Sequence, residues 1–527
     1  MERGDVHDAV SSEGAALARE GDGVDGGGAT PHAALAIWAR ADHTLIPLNR
    51  PRHRSSLGRA LAAAFAVAVL VAAPQSSAAT AYFVRAAGDD AAAGNSRATA
   101  WRSLARVNEV DLEPGDRILL EGRATFDGRL VIGPEDAGTR RRPVTVRSFG
   151  GGRATIDGGT GGGILVHDAG GVSLSGLIVV GAGRDAGNRG DGISFYSDVA
   201  VPGTRFDYAR VKNVEVSGFG GVGLVLGGYA TDALGRPVKT GFSDVRFVRV
   251  DAHDNADAGI LTYGSFASNA VGWAHANVTV VHCASHANPG IPGKGGNSGN
   301  GIVLVDVDGG LIVRSRAWDN GWRNDFPSGP IGIWTWDSNR VVIEHNEAWG
   351  NRSGTRDGGG FDLDGGATNC VLRRNTSHDN VGSGFLVYQF AGARPMRDNQ
   401  VLDNMSVNDG RTNGGGLVVG GGAVRTRFAD NLIEVDPREP GAPVGDGPFG
   451  MHVVRDGTTN VDTTFEGNVI TTQDGVPLIV VPEPARQPGL LFTGNVYDTG
   501  GAPVSIVWGA ETYSSVEAWS AATGQGP

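Results

Sequence analysis

One short pattern recurs through the middle of the chain and leaves few folds open: a glycine followed by residues alternating between apolar and variable. The copies run Gly192-Ile-Ser-Phe-Tyr196, Gly223-Leu-Val-Leu-Gly227, Gly259-Ile-Leu-Thr-Tyr263 and Gly301-Ile-Val-Leu-Val305. They continue as Gly332-Ile-Trp-Thr-Trp336, Gly360-Phe-Asp-Leu-Asp364, Gly384-Phe-Leu-Val-Tyr388 and Gly416-Leu-Val-Val-Gly420. The first and third residues after each glycine are nearly always Ile, Leu, Phe or Val. A period of two is a strand with one buried face. Upstream of each copy stands a second signature, a small residue, then His or Trp, then Asn: Ala252-His-Asp-Asn255, Ser285-His-Ala-Asn288, Ala317-Trp-Asp-Asn320, Ala348-Trp-Gly-Asn351 and Ser377-His-Asp-Asn380.

The tightest unit, Gly360 to Gly384, needs 24 residues. Strands at that spacing with no helical pattern between them are not βαβ units, and four-stranded propeller blades need more chain. Stacked coils remain. Each pairs with the next at ~4.8 Å, so roughly a dozen coils form a solenoid about 60 Å long. The expected fold is all-β: a single-domain right-handed parallel β-helix with loop insertions at residues 289–300 and 321–330, its hand following that of parallel crossovers. The repeated Asn residues are expected to form amide ladders and the His and Trp residues a structural stack.

Glycine accounts for 85 of 527 residues without a collagen period, which fits many turns. The formal net charge of −12 argues against nucleic acid, whose phosphates require a basic surface. Cys283 and Cys370 sit about three coils apart, ~14 Å at the coil rise, too far to bridge, so two buried free thiols are expected.

Residues 52–81 read as a secretory signal, with an uncleaved anchor as the alternative. Arg52, Arg54 and Arg59 are basic, 60–73 is apolar, and Ala79-Thr80-Ala81 is a small-residue cleavage site. Residues 1–51 are expected to be disordered or to precede the true start, and 82–527 to be the β-helix. The expected product is secreted or periplasmic, monomeric, and without a membrane span after signal cleavage.

Tyr82-Phe-Val-Arg-Ala-Ala-Gly-Asp-Asp90, Trp101-Arg-Ser-Leu104 and Pro114-Gly-Asp116, with the closing Tyr513-Ser-Ser-Val-Glu-Ala-Trp-Ser-Ala-Ala-Thr-Gly524, resemble the opening and end pieces of secreted parallel β-helix proteins. That pectate-lyase-like superfamily includes pectate lyases, alginate lyases and epimerases. The resemblance implies a polysaccharide partner and leaves the subfamily unassigned. Signature segments of polygalacturonases and alginate epimerases are absent. A calcium segment of one lyase family survives only as Asp362 in Gly358-Gly-Gly-Phe-Asp362.

The variable positions of the repeat point outward in a column. They carry Tyr196, Tyr263, Trp334, Trp336, Asp362, Asp364 and Tyr388, with Asp337 and Asp306 just beyond their strands. Aromatic rings suit sugar faces, and paired carboxylates supply an acid and a base for glycosidic cleavage. Asp362 and Asp364 are therefore the candidate catalytic pair. Trp334, Trp336, Tyr263, Tyr388, Tyr196 and Asp337 are candidate substrate-binding residues, and His378 and Arg356 candidate neighbours. The loop 321–330 is an alternative cover for the two tryptophans. The Asp362 and Asp364 Cβ atoms should lie ~6.5–7 Å apart, which leans toward an inverting hydrolase. Calcium is the cofactor the sequence raises, through Asp306-Val-Asp308, but that ligand set is incomplete, so no metal is assigned. A uronate lyase and a non-catalytic carbohydrate-binding or surface protein stand as alternatives.

Overall fold

The computed structural model describes residues 78–438 and 446–526. The proposed extension, and the proposed signal up to Ser77, lie outside the described residues. Within them, the glycine-led strands align into one sheet, the front sheet. Its strands are numbered β1 (Leu130–Ile132), β2 (Ile164–His167), β3 (Ile193–Ser197), β4 (Val222–Gly228), β5 (Ala258–Gly264), β6 (Asn300–Val305) and β7 (Ile331–Trp336). They continue as β8 (Gly359–Asp364), β9 (Phe385–Tyr388), β10 (Leu417–Gly420), β11 (Met451–Val453), β12 (Ile479–Val481), β13 (Ile506–Trp508) and β14 (Glu511–Tyr513). All pair in parallel except β14, which turns back on β13. The rest of each coil belongs to a second, 25-stranded sheet, paired in parallel.

Alternation sets the core. Ile302, Ile333, Phe361 and Phe385 are register partners on successive coils, and each is fully buried. Every such side chain contributes roughly 1.5–3 kcal/mol of burial. Phe361 and Phe385 stack at 5.2 Å, as do Phe428, Phe465 and Phe492 at 4.7 and 4.8 Å.

The glycine that opens each repeat has a steric cause. A Cβ on Gly360 would lie 2.1 Å from the Ser377 hydroxyl, and one on Gly332 would lie 2.8 Å from the Asn351 amide. The strand starts pressed against the turn that carries the asparagine ladder. There the backbone N–H groups of Asn255, Asn288, Asn320 and Asn351 each donate to the side-chain oxygen of the Asn on the next coil, at 3.0, 3.2, 3.3 and 2.9 Å. A second ladder, Asn346–Asn375–Asn404–Asn431–Asn468–Asn495, follows the same rule at another corner. The expected aromatic stack is present: His253, His286, Trp318, Trp349 and His378 lie with centroids 4.2–5.7 Å apart and planes within 10°.

Both cysteines are free and buried. They occupy different corner columns: Cys283 N–H donates to Ser315 and Cys370 N–H to Asn399. At the far end, the helix Val516–Thr523 buries Trp519 edge-on against Phe492, Trp508 and Tyr497. No helix among the described residues is long and apolar enough to cross a membrane.

Candidate active site on the front sheet

The outward column of the front sheet is divided into zones by what covers it. Around β3–β5, Val222, Val225, Ala258 and Tyr263 form a small apolar cluster with Tyr196, Tyr229 and Leu261 packed on it. Tyr263 is only 5% exposed, and its ring occupies the space that a Cβ on Gly227 would need. Tyr196 keeps partial exposure, stacks on His167 at 5.9 Å and donates from its hydroxyl to the Tyr229 carbonyl. Tyr263 is thus a packing residue rather than an open sugar platform.

On β6 and β7 a second cluster joins Val303, Val305, Ile331 and Trp334, with Trp336 packed against it. The two tryptophans part company here. Trp334 is 4% exposed, and its indole N–H donates to Asn300 Oδ1 at 3.1 Å. Trp336 is half-buried. Its ring lies against Phe266 at 5.4 Å and Phe390 at 5.7 Å, so its neighbours come from the chain following β5 and β9 rather than from the expected cover at 321–330. Trp334 is closed off by its own fold.

Asp337 and Asp306 do not line a groove. Both are 1% exposed and occupy left-handed turn positions just past β7 and β6. Lys239 binds Asp306, and Arg394 binds Asp337. Asp337 lies 3.7 Å from Lys239, and burial together with the neighbouring Asp306 charge raises its carboxyl to about 6. Arg394 also donates to the Gly272 carbonyl at 2.8 Å and lies 5.0 Å over Trp273. This buried ion cluster pins the segments that bring Phe266 and Phe390 against Trp336. Asp337 is a structural anchor, a correction forced by the loops that fold over it. Asp308, the other residue of the Asp306-Val-Asp308 segment, is paired with Arg340 at 2.8 Å.

The carboxylate pair stands on β8, in register between Trp334 on β7 and Leu386 and Tyr388 on β9. Asp362 is 3% exposed, and its Oδ1 is buried without a hydrogen-bond partner. Burial, then Asp364, then Asp357 hold its carboxyl well above the usual range. Asp364 is half-buried and accepts the Gly365 N–H at 2.8 Å. Burial raises it to about 7. Tyr388 is its register partner, and a Cβ on Gly420 would lie 2.9 Å from the Tyr388 ring, so that ring rests on the following coil. Burial and Asp456, with Asp364 and Asp357 behind, push the phenol upward.

Sequence reasoning missed Asp357 and Asp456. Asp357 precedes the glycine run of β8, accepts the Gly329 N–H at 2.8 Å and is itself raised by burial. Its position before Gly358-Gly-Gly360 was the available signal. Asp456 follows β11 and reaches back to Tyr388, which no local spacing shows. His378 belongs to the aromatic stack on the other sheet, not to this site.

A further group, His167, Asp168 and Asp198, gathers at the end of β2, with His167 Nε2 at 3.1 Å from Asp198 and 3.4 Å from Asp168. The three already satisfy one another.

Residues 199–433 match the family model described as right handed beta helix region. Over 77 residues the chain is 40% identical to a lacto-N-biosidase of Bifidobacterium longum subsp. longum, a match covering 14% of this chain and 5% of the relative. The chain thus spans about a twentieth of that relative's length. Among solved structures, a GH136 lacto-N-biosidase from Eubacterium ramulus aligns over 80% of this chain and 68% of its own, at 16% identity and a TM-score of 0.43. The A-module of the mannuronan C-5 epimerase AlgE4 from Azotobacter vinelandii aligns over 76% and 91%, at 14% identity and a TM-score of 0.42. Parallel pairing coil upon coil gives the described residues a parallel β-helix fold, and residues 199–433 of it match the right-handed β-helix model.

Proposed function

We propose that this protein is a glycoside hydrolase acting on an extracellular oligo- or polysaccharide, with Asp362 and Asp364 as its catalytic pair. One observation carries the reading: a buried carboxyl with an unpartnered oxygen stands two residues from a half-buried carboxyl raised to about 7. Two neighbouring carboxyls that burial lifts out of the usual range are suited to general acid and general base work. Asp362, its carboxyl held well above the usual range by burial and its acidic neighbours, is assigned as the proton donor to the leaving glycosidic oxygen. Asp364, half-buried and ionised above about 7, is the base that activates water. Their Cβ atoms, ~6.5–7 Å apart along one strand face, let the two carboxyls adopt the wider spacing of inverting enzymes. Tyr388 is the register partner of Asp364, and Trp336 follows Thr335, the partner of Leu363, so both aromatic rings lie in the column of Asp364 and offer apolar surface to a sugar. The short stretch of identity to a lacto-N-biosidase supports the same reaction class.

The lyase alternative needs a cationic base or a carboxylate-neutralising group. Lys239 is bound to Asp306 and Lys294 to Asp257, while Lys212 lies on the other sheet. The test is a product assay of the full chain on a glycan panel, reading reducing ends and unsaturated-uronate absorbance together. Reducing ends without that absorbance, lost in Asp362→Asn and Asp364→Asn, support hydrolysis. Absorbance rising with cleavage overturns it in favour of a lyase. Binding without any product reassigns the protein as a non-catalytic carbohydrate binder.

A further inference from the structure

The second sheet carries a feature independent of the front-sheet carboxylates. At one corner each coil turns through a residue in the left-handed conformation. On five successive coils that residue is Arg249, His282, Arg314, His345 and Arg374, with φ between 51° and 56°. The preceding residues fix the alignment: Val248, Val281, Val313, Glu344 and Arg373 are register partners in that order. Before and after this run the same corner holds Asn213, then Asp403 and Asp430. The basic run is a bounded segment.

Left-handed turns favour Gly, Asn and Asp, and an arginine gains nothing there from backbone conformation. All five side chains are exposed. Arg249 and Arg314 form no ion pair among the described residues, and Arg374 reaches only Asp403, at 3.7 Å. Four of the five residues line a shallow surface groove of about 410 Å³, shared with Arg316 and with its partner Glu347 at 3.5 Å. In a chain of net charge −12 this is a concentrated cationic strip. It spans four coil steps, ~19 Å along the axis, with one basic or imidazole group per ~4.8 Å step.

We infer that this corner binds a linear anionic polysaccharide lying along the coil axis, with its carboxylate or sulfate groups on the arginines. Guanidinium forks match both groups, and like charges held in a row attract a polymer of opposite charge better than a single ion. The neighbouring aromatic stack does not take part through its faces. Its rings are parallel and cover one another, leaving only edges to solvent. Such a surface would hold the protein on an acidic glycan while the front sheet stays free.

Affinity electrophoresis of the full chain tests this, in gels holding polygalacturonate, heparin or neutral dextran. Retardation by one or both polyanions and not by dextran is expected; polygalacturonate alone identifies carboxylate as the recognised group, and heparin alone identifies sulfate. The triple variant Arg249→Glu/Arg314→Glu/Arg374→Glu should weaken binding at least about tenfold, the scale of three exposed charge pairs lost. The neutral triple Arg249→Gln/Arg314→Gln/Arg374→Gln should behave likewise, and it keeps the test decisive if charge reversal disturbs folding. A control with the same charge change elsewhere, Arg141→Glu/Arg236→Glu/Arg486→Glu, should keep wild-type retardation. No retardation of the wild type, equal loss in the control, or equally tight retention by duplex DNA would each overturn the proposal.

Discussion

Asp409 closes the first asparagine ladder: its Oδ1 accepts the Asn380 backbone N–H at 3.0 Å and the Asn380 side-chain amide at 2.8 Å. It stands where the preceding coils place Asn. Its Oδ2 accepts the Ser406 hydroxyl at 2.7 Å. Burial nevertheless raises its carboxyl to about 6. A folded pKa above the unfolded value gives stability that is complete below pH ~4 and lost as pH rises through about 6. Asp409→Asn keeps the acceptor and removes the charge. The variant should melt higher than wild type at pH 8, by on the order of 1–3 kcal/mol, and about equally at pH 4. Thermal unfolding at the two pH values checks this.

His275 titrates in the opposite sense. It is fully buried, its Nδ1 accepts the Phe242 N–H at 3.2 Å, and its Nε2 faces the Tyr263 carbonyl at 2.8 Å. Burial lowers the imidazole from 6.5 to about 4. A depressed folded pKa gives stability present above 6.5 and lost as pH falls toward about 4. Wild type should lose up to roughly 3 kcal/mol over that window from this group. His275→Gln should be less stable at pH 7 but should show a shallower decline. Denaturant titrations at several pH values separate the two effects.

For the carboxylate pair, Asp364→Asn and Asp362→Asn should each lower kcat by about 10²–10⁴-fold. Activity of the wild type should rise as pH passes about 7, where Asp364 ionises. That limb belongs to the interacting pair and is read from a kcat/KM profile.

Trp334 and Trp336 should separate by readout. Trp334→Ala removes a buried indole and its bond to Asn300, and should cost about 3–5 kcal/mol of stability. Trp336→Ala should leave folding closer to wild type and raise KM for an active glycan. Paired melting and kinetic measurements distinguish them.

Arg394→Ala strands the buried Asp337 carboxylate and frees its hold on Gly272. Removing one partner of a buried pair typically costs 3–5 kcal/mol, so a loss of about that size is expected in denaturant titration. The Cys283 and Cys370 thiols, pushed up to about 12 by burial, should resist a thiol reagent in the native protein and react once it is unfolded.

The residues that repeat along the chain were legible without coordinates. A glycine against the ladder turn, alternation that sends Ile302, Ile333 and Phe361 inward, and an Asn at one corner are local requirements, and each coil must meet them for itself. They fixed the coil, its outward column and the place of Asp362 and Asp364 upon it. Exposure within that column is not a local property. Asp337 is buried because Arg394, 57 residues later, folds back to it, and Trp334 is closed by Asn300 from the preceding coil. The basic corner also escaped sequence reading, because insertions of unequal length shift its spacing between coils, from 33 residues (Arg249 to His282) to 29 (His345 to Arg374). Sequence determined the repeated unit, since its physics is short-range. Which outward side chains meet solvent, and which charges gather, was decided only by tertiary structure, because those contacts join segments that no period relates.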